Sequence, residues 1–276
     1  MTNAVVAPVL ERARSKAGGD QSLKLLLESA IAAIDPDDLA RQDPDRLIEA
    51  LVVSHERLTS GPVDGTRVLA TPPAEPGAPL VLDIICPDMP FIVDSALAAL
   101  RAMGGSIRLF AHPVLHVAGG QVVATGGTAV SMLHIQSDPV ADLAGLVGEL
   151  EATLKDVARA VADWQPMLER IRRATAGLDV LQPAQRDEAG RFVEWLTEHN
   201  FTFLGMRENR LEGDELVPVA GTGLGILRDE ELRVLRSGPE YVESTPQLVD
   251  FVRGPDPLLV TKANVRARVH RRAHLD

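Results

Sequence analysis

Four groups of residues in this chain have the types and spacing to do chemistry. The first is "CPDMPFIVDSA", residues 86–96. Asp88 has the type and place of a helix cap, and Pro90 suits a first turn because its missing N–H would have no partner there. Asp94 falls where negative charge is mildly favourable. All of this reads as plain helix initiation. The same turn has a second reading, because backbone N–H groups freed at a helix start can hold a small anion such as an amino-acid carboxylate. On that reading Pro87, Asp88, Met89, Pro90, Phe91 and Ile92 form a candidate effector-binding turn.

The other three groups point away from catalysis. Cys86 ends an apolar run beside Asp88, and burial and a nearby acid both raise a thiol pKa, so a structural cysteine is expected. His112 and His116 share a strand face, but four residues at about 3.3 Å each put them about 13 Å apart, too far for one ion. His134 can pair with one of them across a hairpin, with no third ligand in view, so satisfied or half-exposed sheet histidines are expected and no metal. "GTGLGILR" places glycines at 221, 223 and 225, a G-x-G-x-G that lacks the dinucleotide spacing and opens no clear helix. A Gly-bracketed turn entering the strand "GILR" is expected instead. Nucleophile-elbow, P-loop, zinc and kinase patterns are absent from the sequence. No catalytic, cofactor-binding or metal-ligating residue is therefore expected.

The elements that must position the turn follow from periodicity. "QSLKLLLESAIAAI" puts Leu23, Leu26, Leu27, Ala30 and Ile34 on one helical face, and "DPDRLIEALVVSHERL" opens with an acidic, Pro-containing turn. A short strand at 66–70 lies between turn-rich stretches. Residues 80–86 read as a buried strand, and 89–103 as a helix presenting Ile92, Ala96, Leu100 and Met103 before the Gly104–Gly105 stop. Strands at 106–117, demoted in part by Pro113, and at 128–136 follow. A long helical stretch then runs from Val140 to about Gly177, with a break expected at Pro166. Strand, helix, strand, strand, helix is the front of a split βαββαβ unit. After a linker come a helix at 185–198, a hairpin of "FTFLGMREN" and "DELVPVAG" joined through "RLEGD", and strands in "GTGLGILR" and "PLLVTKANVRARVHR". The expected fold is α+β: a helical segment at 1–62, an α+β domain with an antiparallel sheet at 63–178, and a second, smaller α+β domain at 179–276.

Composition narrows the partners. With 45% hydrophobic residues among 276, the chain can bury a core, and with 3% aromatic residues that core must be aliphatic. A net charge of −11 argues against broad nucleic-acid or anionic-membrane binding. The basic stretch "TKANVRARVHRRAHLD" is the exception, read here as solvated strand positions. One cysteine excludes an internal disulfide framework and fits a reducing compartment. No run approaches the roughly 18 apolar residues of a membrane span, and the first residues lack a secretory-signal pattern, so a cytoplasmic location is expected.

"PDMPFIVDSALAALRAMGGSIRLFAHPVL", "FVEWLTEHNFTFLGMRE", "VAGTGLGILR" and "LLVTKANVRARVHR" resemble, in that order, the N-terminal region of the large bacterial NAD-specific glutamate dehydrogenases. The resemblance implies ACT-like modules, small βαββαβ units that elsewhere sense amino acids, with the catalytic and nucleotide-binding domains downstream. It implies a parent that uses NAD to deaminate L-glutamate to 2-oxoglutarate and ammonia, and no cofactor in this segment. The expected partners are the rest of the parent chain, further copies in a homo-oligomer, and an amino-acid effector. Amino-acid-binding ACT modules commonly carry a glycine just after the Asp-x-Pro of this turn, where this sequence has Phe91. Since the family continues past "HRRAHLD", a fragment truncated within its second domain is expected. A free-standing amino-acid-binding module is the alternative.

Overall fold

The computed structural model describes residues 2–174, 182–213 and 215–229. The chain divides into two units, residues 1–154 and 155–276. In the first, α1 (Thr2–Ala17), α2 (Gln21–Ala32), α3 (Pro36–Leu39) and α4 (Pro44–Thr59) precede the sheet. Aspartates set three of these starts. Asp20 accepts from Leu23 N, Asp35 from Asp37 N, and Asp43 from Asp45 N and Arg46 N. The Arg46 and Asp45 N–H bonds hold the Asp43 carboxyl below its usual range. Pro36 and Pro44 occupy the first helical positions of α3 and α4, where no N–H is needed.

The sheet contains β1 (Arg67–Thr71), β2 (Leu80–Pro87), β3 (Ile107–Ala111), β4 (Val114–Ala118), β5 (Gln121–Val123) and β6 (Thr128–Ser137). Its order is β1-β2-β6-β4-β5, with β3 also on β6, and every pairing is antiparallel. β6 is central, flanked by β2 on one side and by β3 and β4 in succession on the other. The expected strand at 106–117 is thus two strands. Pro113 has no N–H to give a ladder, and its carbonyl instead accepts from Met132 N.

Alternation on β2 and β6 sorts the core into two layers. Leu82, Ile84, Cys86, Leu133 and Ile135 face α5 (Ile92–Ala102) and the start of α6 (Leu143–Ala174). Ile85, Val130 and Met132 belong to the layer under α1–α4, with Leu26, Leu27, Leu47, Leu51 and Leu58. A one-residue slip of either strand would exchange the two sets, so burial on both faces fixes the register. The helical opening and the sheet share one unit, and the fold is α+β.

α6 is continuous through Pro166, so the break expected there does not occur. In the second unit, α7 (Pro183–Trp195) ends in a π-helical turn, Leu196–Asn200. The hairpin differs from expectation. β8 (Asn209–Glu212) pairs with β9 (Glu215–Pro218), and Gly213, at φ 65°, sits in the turn. Most of "RLEGD" is therefore strand rather than connector, because the left-handed glycine sets where the chain reverses. β7 (Gly205–Met206) pairs with β10 (Leu224–Gly225), and a 3₁₀ turn, Ile226–Arg228, follows. "GILR" is accordingly a turn, not a strand. Gly223 and Gly225 are required by packing, since a Cβ would meet Leu227 O at 2.1 Å and Leu204 O at 2.2 Å. The strand read in "PLLVTKANVRARVHR" lies outside the described residues, as does the basic stretch. Among the described residues, no helix is long and apolar enough to cross a membrane.

Candidate functional site

The turn at 87–92 joins β2 to α5. Pro87 ends β2 opposite Val130, and Asp88 N donates to Ala129 O. Pro90 is exposed, while Met89 is half-buried against the α5 layer. The helix starts at Ile92, three residues later than its sequence pattern suggests, and its N-cap position is Phe91, with no side-chain cap. Asp88 therefore does not cap α5. Its carboxylate accepts from Ser131 Oγ at 2.6 Å, and Ser131 Oγ lies 2.9 Å from His112 Nε2. The hydroxyl has one proton, and the carboxylate takes it. His112 must then donate from Nε2–H. Burial holds the His112 pKa below the ordinary value, although the Asp88 charge pulls the other way. The neutral ring completes a relay of hydrogen bonds, His112 to Ser131 to Asp88, that pins the turn to β6.

Phe91 adopts φ 69° and ψ 1°, the left-handed region, and is the one non-glycine among the described residues with positive φ. Its side chain is 50% exposed. A bulky L residue there costs on the order of 1 kcal/mol. The backbone thus takes a shape that suits glycine, while the ring points substantially into solvent. Beside the turn, burial and then the Asp88 charge push the Cys86 thiol up to about 12, which leaves it protonated.

The histidines take separate roles. His116 lies on the exposed face of β4, whereas His134 is fully buried. Among the described residues, no group of three His, Cys, Asp or Glu side chains is arranged to hold a metal.

A second polar cluster escaped sequence reasoning. Asp83, on the α4 face of β2, is fully buried and accepts from Ser54 Oγ at 2.8 Å and Arg57 Nη1 at 2.7 Å. His134 Nδ1 lies 2.8 Å from the same carboxylate, and His134 Nε2 lies 3.3 Å from Gln136 Nε2. Arg57 Nη2 also donates to Thr71 Oγ1 on β1. Burial alone would raise the Asp83 carboxyl; the bonds with His134, Arg57 and Ser54 outweigh it and hold the carboxyl below its usual range. Next to Ser54 on the same helix, His55 Nε2 meets Ser22 Oγ at 2.8 Å, and Ser22 Oγ accepts from Val122 N. Both clusters fasten the helical layer to the sheet. Ser22, Ser54, His55, Asp83, His134 and Gln136 are buried and Arg57 is largely so, which suits both clusters to positioning elements. The available signal was Asp83 itself, a lone charge inside "PLVLDIIC", because a fully buried acid must be paired.

Residues 26–154, which run from within α2 through α3, α4, the sheet and α5 to within α6, match the family described as glutamate dehydrogenase, ACT1 domain. An NAD-specific glutamate dehydrogenase of Halomonas elongata is 31% identical over 221 residues, covering 68% of this chain. One from Pseudomonas aeruginosa is 29% identical over 219 residues, covering 71%. The chain spans about 13% of the length of each of these relatives. Through its ACT1 domain at residues 26–154, the chain belongs to the family of the large NAD-specific glutamate dehydrogenases.

Proposed function

We propose that this chain is a non-catalytic, regulatory and assembly segment of an NAD-dependent glutamate dehydrogenase. The parent would oxidise L-glutamate to 2-oxoglutarate and ammonia, with hydride passing to NAD bound elsewhere in it. The observation that carries this reading is the match of residues 26–154 to the glutamate dehydrogenase ACT1 domain, together with similarity to enzymes of whose length the chain spans about 13%. The segment's partners are then the rest of the parent chain and further copies of it, in the cytoplasm.

The turn at Pro87–Ile92 is the proposed effector site. α5 begins without a side-chain cap, which leaves its first N–H groups without intrahelical partners and suited to an amino-acid carboxylate. Asp88, tied to Ser131 on one oxygen, would orient the ligand's amino group, and Phe91 would wall the pocket.

Two measurements test the proposal. The purified chain should yield no NADH from glutamate and NAD; production above a buffer control would refute the non-catalytic reading. In the full-length parent, amino acids should be titrated against glutamate oxidation for the native enzyme and for Asp88→Ala. A response in the native enzyme that the substitution abolishes supports the effector turn. An identical response in both removes the turn from regulation and leaves assembly.

A further inference from the structure

The second unit contains a cleft of about 380 Å³ lined by Arg207, Pro218, Val219, Ala220, Gly221, Gly223, Leu227 and Arg228. That volume lies at the small end of the range for ligand pockets. Two guanidinium groups, those of Arg207 and Arg228, stand on its wall.

Arg228 is fixed before any ligand arrives. Its Nε and Nη2 donate to the two oxygens of Asp163, whose side chain is 5% exposed. Gly225 N donates to the same carboxylate at 2.7 Å, so protein donors already satisfy the acid. A guanidinium forked onto one carboxylate keeps N–H donors on its remaining edge, and the Arg228 side chain is 54% exposed.

Two carbonyl acceptors of the facing turn are engaged within the protein. Thr222 O accepts from Arg170 Nη1, and Val219 O accepts from Thr222 Oγ at 2.7 Å. Thr222 Oγ in turn accepts from Glu208 N, and Val219 N donates to Glu208 O. Carbonyl oxygens repel an anion, and these two are engaged within the protein. Gly221, at φ 72°, has open space where a side chain would stand, so a ligand can approach the backbone closely. The glycines that fail as a dinucleotide motif thus shape a smaller site.

We infer that this cleft binds a small oxyanion, the carboxylate or phosphate group of a metabolite, between Arg207 and Arg228 and against the Val219–Gly223 turn. The shared chemistry is two cationic donors and an accessible backbone, the arrangement that suits both kinds of oxyanion. The cleft belongs to the second unit and the turn at Pro87–Ile92 to the first, and neither proposal depends on the other.

The test uses the full chain, titrated separately with inorganic phosphate and with glutarate, and read by backbone amide shifts and calorimetry. Saturable binding that moves the amides of 207, 219–223 and 228 is expected for at least one probe. Phosphate alone would assign a phosphate ester, and glutarate alone a carboxylate. Arg207→Gln should weaken binding about tenfold, the loss of one charge-assisted contact. Ala220→Glu, an exposed change on the cleft wall, should abolish it. Circular dichroism must show both variants folded, and if Arg207→Gln fails that check, Ala220→Glu decides. Failure of both probes to saturate below roughly 10 mM, the weak end of specific affinities, would overturn the inference. So would undiminished binding by a folded Ala220→Glu.

Discussion

Removing Arg57 is the sharpest probe of what fastens the helical layer to the sheet. In Arg57→Met, the fully buried Asp83 loses its Nη1 donor and its permanent cation but keeps Ser54 and His134. Breaking a buried pair by deleting one partner costs about 3 to 5 kcal/mol, because the remaining charge is left uncompensated. The sign of the pH dependence follows. In the native protein the Asp83 carboxyl is lowered from 3.8, so its contribution is present above that value and is lost only as pH falls through the folded value below it. Without the guanidinium the carboxyl is held down less strongly, so the gap between native and variant should be widest at neutral pH and should narrow as pH falls into the acid range where Asp83 takes up a proton. Trp164 and Trp195 both lie beyond residue 154, so tryptophan fluorescence reports the other unit. Hydrogen exchange of the β2 and β6 amides is the appropriate assay, since their protection reads the free energy of opening this unit. Adding Asp83→Leu to the variant should recover at least half of the loss, because the unpaired charge is gone. A loss below about 1 kcal/mol, or a gap that does not change with pH, would refute the reasoning.

Three further outcomes are expected. Phe91→Gly should stabilise the first unit by about 0.5 to 1 kcal/mol, because glycine adopts φ 69° without the Cβ penalty; a lower melting temperature would mean that contacts of the half-exposed ring outweigh the strain. His55, whose pKa burial lowers from 6.5, favours the folded state only when neutral, so stability should fall as pH drops through about 6.5, and His55→Gln should remove that component from a series of melting curves. Cys86, buried and raised to about 12, should resist alkylation at neutral pH until denaturant is added; labelling of the native protein at the rate of a free thiol would contradict its placement.

Local chemistry made much of the first unit legible from sequence. Helical periodicity announced α2, the acidic, Pro-containing turn at Asp43 announced α4, and the continuous run at 80–86 announced a buried strand. These signals involve neighbours within a few residues, so a linear reading can see them. The order of elements around the turn at Pro87–Ile92 followed in the same way. What one strand or helix does to another did not. Asp88 looked like a cap because of its place in the chain, yet the hydroxyl that claims it is Ser131, 43 residues away. Asp83 looked anomalous until Arg57 and Ser54, from a helix more than 25 residues earlier, arrived to pair it. Spacing rules out a nucleotide motif at Gly221, Gly223 and Gly225, but it does not reveal that the Leu227 and Leu204 carbonyls come within 2.2 Å of where a Cβ of Gly223 or Gly225 would stand. Composition, periodicity and capping are properties of the chain itself, and they determined the elements, their order and the α+β class. The partner of each buried polar group, and the conformation of Phe91, depend on which distant segments converge, and only the tertiary structure decided them.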